Sequence, residues 1–74
     1  MSAKEMFEKL GYKQEIHIAY ILYIKNEDDY SQDEQRIFFH HDTETINKPF
    51  TGGINAKELQ AINKQVEELG WLDE

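Results

Sequence analysis

The stretch "EIHIAYILYIK" spans residues 15–25. Positions 16, 18, 20, 22 and 24 are Ile, Ile, Tyr, Leu and Ile, an unbroken apolar series at the two-residue period of a β-strand. The alternate positions carry His17, Ala19, Ile21 and Tyr23 and are half apolar. The stretch reads as one central strand over 15–25, its even positions in the core and its other face partly covered.

Downstream, "NEDDYSQDEQ" at 26–35 holds five acids and no apolar residue except Tyr30, so it reads as a solvated loop. "RIFFHH" at 36–41 and "TINKPF" at 45–50 read as short strands near 35–41 and 45–49, joined in a hairpin around Asp42–Glu44. Pro49 has no N–H for a ladder, which sends the last strand to an edge or ends it. Upstream, a helix over 3–10 is signalled by Ser2 with Glu5 three residues later, by Ala3, Met6, Phe7 and Leu10 at helical spacing, and by Gly11 as its stop. A second helix over 56–69 repeats the device. Asn55 and Glu58 cap it, Ile54 and Leu59 flank the cap, Leu59, Ile62, Val66 and Leu69 form a stripe, and Gly70 stops it before Trp71. "TGG" at 51–53 is the hinge into that helix.

The expected architecture is α+β, one domain over 1–74. It is a three-stranded antiparallel meander with N- and C-terminal helices packed on one face, in the order α-β-β-β-α. Its expected core is Phe7, Leu10, Ile18, Tyr20, Leu22, Leu59, Ile62, Val66 and Leu69. Ile37 and Phe39 are assigned to the core side and Phe38 to the opposite side. Phe38 then shares a face with Ile21 and Tyr23, and these three residues are the expected partner-binding patch.

Composition narrows the function. The chain has 74 residues, 39% of them apolar and 31% charged, enough for one small core. Without cysteine there is no disulfide, thiolate metal site or cysteine nucleophile. Eight bases face fifteen acids, giving a net charge of −7. That balance opposes direct binding to nucleic acid and to anionic membranes, because both need clustered Lys and Arg. The longest apolar run, "IAYILYI" at 18–24, is too short to cross a bilayer, and the start "MSAKEMFEKLGYK" is charged and amphipathic, unlike a secretory signal. The expected location is the cytoplasm.

Only "RIFFHHDTET" at 36–45 looks like chemistry. His40, Asp42 and His17 are the candidate metal ligands. Adjacent histidines on a strand point to opposite faces, so His40 and His41 do not converge on one ion, and no known ligand spacing is met. Ser31, Thr43, Thr45 and Thr51 lie in loops or at strand ends and show no strained nucleophile turn. The acidic loop lacks the glycine and the alternation of a calcium loop. The stretch reads as polar residues at a hairpin end. No enzyme, cofactor or metal is expected.

"SAKEMFEKLGYK", the strand rich in Ile and Tyr after it, and "NAKELQAINKQVEELGW" together resemble a group of small phage and prophage proteins of low-GC Gram-positive bacteria. The resemblance covers nearly the whole chain and is weakest through the acidic loop and the hairpin. Where such proteins carry an acid–Lys–Asn turn, this chain has "HHDTET", so the resemblance makes the histidines a local variation. It implies a phage-encoded accessory protein of a bacterial cytoplasm and supplies no catalytic residues. The expected function is non-catalytic and works by protein–protein interaction, with a host or phage protein or a second copy of the chain as partner. The alternatives are an acidic nucleic-acid mimic that blocks a host DNA-binding enzyme and, least favoured by the residues, a small metal-dependent or hydrolytic enzyme.

Overall fold

The computed structural model describes residues 1–26, 34–48 and 53–72. Among them the elements are α1 (Ala3–Lys9), β1 (Lys13–Ile16), β2 (Tyr20–Asn26), β3 (Glu34–His40), β4 (Thr45–Asn47) and α2 (Ala56–Glu68). The class is α+β, with one antiparallel sheet in the order β1-β2-β3-β4.

The sheet has four strands where three are expected, because 15–25 is not one strand. It folds back on itself at 17–19. The His17 N–H donates to the Tyr20 carbonyl at 2.8 Å, and Ile16 pairs with Ile21. Residues paired across a ladder share a face. The connection Ile18–Ala19 therefore puts Ile16 on the side of Ile21 and Tyr23, opposite to Leu22. Ile21 pairs with Phe39, Tyr23 with Ile37, and Phe39 with Ile46, all on the same side. Tyr20, Leu22, Phe38 and His40 take the other side.

Both helices end as their sequences dictate. Ser2 and Glu5 close a reciprocal capping box on α1, and Asn55 and Glu58 close one on α2. After α1 the Gly11 N–H donates to Glu8 and the Tyr12 N–H to Phe7. After α2 the Gly70 N–H donates to Glu67 and the Trp71 N–H to Val66. Both are Schellman motifs, and Gly11 and Gly70 supply the positive φ (94° and 77°) that the motif requires. The helices run antiparallel. The N–H of Ala3 at the start of α1 donates to Glu68 at the end of α2, at 2.9 Å.

The core lies between these helices and one face of the sheet. Phe7 stacks on Tyr23 at 3.9 Å and meets Tyr12 and Phe39 edge-on at 5.5 and 6.2 Å. Ile21, Ile37, Ala61 and Ile62 complete the buried cluster, with Leu10, Val66, Leu69 and Trp71 half-buried against it. The expected core is corrected at four places. Ile18 is fully exposed at the tip of the new turn, and Tyr20 is half-buried on the far face. Leu22 is buried, 6% exposed, but also on the far face. Leu59 is 50% exposed, because α2 turns Glu58, Ala61, Ile62 and Gln65 inward. Residues 27–33 of the acidic segment, Pro49, Thr51, Gly52, Asp73 and Glu74 lie outside the described residues.

Among the described residues no helix is long and apolar enough to cross a membrane.

Candidate functional site

The expected patch of Ile21, Tyr23 and Phe38 is divided between the two faces of the sheet. Ile21 and Tyr23 are buried under the helices, and Phe38 stands on the opposite side. The physical reason is the register. Ile21 lies opposite Phe39 and Leu22 opposite Phe38, so whatever face takes Phe39 takes Ile21 too. Phe38 is itself half-buried, its ring 5.6 Å from Tyr20 and stacked at 5.8 Å on His40.

The candidate metal ligands meet a similar obstacle. His17 and His40 share the far face, but Tyr20 stands between them, stacked on His17 at 4.4 Å and tilted against His40 at 5.8 Å. His17 Nε2 instead lies 3.3 Å from the Glu15 carboxylate. Asp42 is exposed in the β3–β4 turn. Among the described residues no three His, Asp or Glu side chains converge as metal ligands.

Polar side chains do converge beneath the helices. The Tyr12 hydroxyl lies 2.6 Å from Glu58 Oε2 and 3.1 Å from the Gln35 amide. A phenol has one proton, and it is shared between two acceptors, the nearer Glu58 carboxylate and the more distant Gln35 Oε1. Lys48 Nζ lies 3.6 Å from the same Glu58 oxygen and donates to the Gly53 carbonyl at 2.7 Å. Burial pushes the Glu58 carboxyl up. The Tyr12 hydroxyl, the Asn55 N–H and the Lys48 ammonium outweigh it and hold the group below the ordinary carboxylate range. A second chain runs from the Gln14 amide to the Tyr23 hydroxyl and on to Gln65. Burial raises the Tyr23 phenol against the hydrogen bond from Gln14, so it stays neutral. Tyr12 and Tyr23 are both fully covered, and this network ties α2 to the sheet.

The exposed apolar side chains lie elsewhere. Ile16, 73% exposed, and Ile46, 38% exposed, are the two outer members of the rank Ile16–Ile21–Phe39–Ile46. Trp71 covers its centre, packed 6.3 Å from Phe39, with Leu72 beside it 68% exposed. Ile18 projects from the adjacent β1–β2 turn. Met1, Ile54 and Leu59 are exposed as well, while Ile16, Ile18 and Ile46 lie toward the end of the sheet formed by the two hairpin turns. An open hollow of about 380 Å³ lies there, lined by Ala19 of one turn and by His40, Asp42, Thr43, Thr45, Ile46 and Asn47 of the other hairpin. The two turns are joined through the His41 N–H, which donates to the Ala19 carbonyl at 3.0 Å. Reading 15–25 as one strand hides this end, since Ile16 and Ile18 then fall in the core. The signal that points to it is the apolar content of both faces of that stretch, more than one sheet position can bury.

Compared with protein-family models, with curated proteins and with solved structures, the chain matches none.

Proposed function

We propose that this chain is a non-catalytic, phage-encoded accessory protein of a bacterial cytoplasm that acts by binding another protein. The observation that carries this reading is the exposure of Ile16 and Ile46 in one cross-sheet rank and of Ile18 in the adjoining turn, three apolar side chains toward one end of the sheet. Scattered apolar residues on a surface are ordinary, whereas several together on so small a protein favour a contact surface. The phage origin rests on the resemblance of the two terminal segments, and the cytoplasm follows from that origin.

Affinity capture from bacterial host lysate tests the proposal, with the native chain and the Ile18→Asp variant as paired baits. Ile18 is fully exposed, so the variant keeps the native circular dichroism and melt. The native bait retains a protein that the variant loses, and the complex survives moderate salt because apolar contacts are not screened. Identical capture by both baits overturns the contact surface. A complex that dissolves steeply with salt turns the reading toward nucleic-acid mimicry.

A further inference from the structure

The hollow at this end has a definite chemical character. Its lining is rich in acceptors. Asp42 offers a carboxylate, and among the described residues it makes no ion pair. The Thr45 hydroxyl spends its proton on the Thr43 carbonyl at 3.1 Å and so turns only lone pairs outward. The Asn47 amide oxygen adds another acceptor, His40 supplies a flat wall and Ile46 an apolar one. At about 380 Å³ the hollow has room for a single long side chain.

We infer, resting on the protein-binding reading above, that this hollow receives an arginine side chain of the partner protein, with apolar neighbours of that arginine seated on Ile18 and Ile46. A guanidinium presents several donors in a rigid plane, which suits a carboxylate beside hydroxyl and amide oxygens and lies flat on a ring. An ammonium pairs with the same oxygens as a point charge but has no plane to lay on the ring. Charge agrees. Lys9, Lys13, Lys25, Arg36, Lys48 and Lys57, six of the eight bases, lie toward the opposite end, around Tyr12 and the start of α2. Asp42 and Glu44 mark the near end, and Glu34 and Glu58 stand among the bases of the other. A second copy related by a two-fold axis meets this surface with the same acids, and like charges repel, so the occupant we assign is a different, basic protein; a head-to-tail copy is the dimer that the test below detects.

The test uses the full chain labelled with ¹⁵N and three capped synthetic peptides, Leu-Arg-Leu, Leu-Lys-Leu and Leu-Glu-Leu, at millimolar concentration. The arginine peptide shifts the amide signals of Ala19 and of residues 40–47, the lysine peptide does so more weakly, and the glutamate peptide leaves them in place. Asp42→Asn weakens the arginine peptide roughly three- to fivefold, the range for one exposed charge pair, and leaves the melt unchanged. Equal response to the glutamate peptide, shifts confined to other residues, no response to the arginine peptide, or indifference to Asp42→Asn each overturns the inference. So does a concentration-dependent dimer that Asp42→Asn alters. If the arginine peptide fails while Ile18→Asp still costs the native chain its lysate partner, the arginine site falls and the protein-binding reading stands. If Ile18→Asp costs nothing in the lysate as well, both fall.

Discussion

Glu58 is a carboxylate at a position where an apolar residue is the ordinary choice, and every one of its contacts has a counterpart that needs it. Oε1 accepts from the Asn55 N–H at 3.2 Å, and Oε2 takes the Tyr12 proton and faces Lys48. Truncation leaves the buried phenol only its longer bond to Gln35 and a nearly buried ammonium without its counter-charge. Glu58→Ala is therefore expected to cost about 2–4 kcal/mol in a denaturant titration. The pH dependence has a definite sign. The folded carboxyl lies below its ordinary 4.5, so its contribution is complete above that pH and is lost as pH falls through the lower, folded value. Glu58→Gln flattens this part of the acid limb of a stability-against-pH curve, and an unchanged limb refutes the assignment. The histidines give the contrasting case. With Tyr20 between His17 and His40, EDTA or the double change of His40 and His41 to Asn is expected to move the melting temperature by no more than about one or two degrees. A fall of about ten degrees makes "HHDTET" a ligand cluster.

Individual elements were legible in proportion to how local their signals are. Both helices carry their cap and stop in the chain itself, and each resolves into the expected capping box and Schellman hydrogen bonds. The β1–β2 turn carries no such signal. "HIA" has no glycine, proline or asparagine, and the apolar alternation runs through it unbroken. Tight hairpins usually announce themselves with Asn-Gly or Asp-Gly, whose positive φ matches the twist of the strands. Here Ile18 and Ala19 both keep negative φ, since Glu44 is the only described residue other than glycine with positive φ. The hairpin therefore rests on its tertiary contacts, including the hydrogen bond from His41 to Ala19. Replacing Ile18 by Asn and Ala19 by Gly tests the element directly. The double variant is expected to melt within a few degrees of the native chain. In a continuous strand over 15–25 an interior glycine with asparagine costs about 1 kcal/mol or more, so a clear loss of stability restores the single-strand reading.

At the scale of the whole molecule, one missed turn exchanges the two faces of the strand that follows it. Ile37 and Phe39 were legible as core residues from their own strand, but Ile21 and Tyr23 were not, because face assignment depends on register and register is a non-local property. The candidate site moved with it. Phe38 kept its far face, Ile21 and Tyr23 went under the helices, and Ile16 and Ile18 came out to the end surface. Two adjacent phenylalanines now provide the decisive comparison. Phe39 is fully buried, in contact with Phe7, Tyr23 and Trp71, whereas Phe38 is half-buried beside Tyr20 and His40. A chain of this length has a total stability of roughly 4–11 kcal/mol. Phe39→Ala removes a fully buried ring at a cost of about 3–5 kcal/mol, which takes most or all of the lower end of that range. Phe38→Ala loses a ring that keeps part of its surface in water and is expected to cost about 1–2 kcal/mol. Thermal melts of the two variants under one set of conditions separate the faces. Phe39→Ala melts far below Phe38→Ala, and the reverse order places the helices on the other side of the sheet.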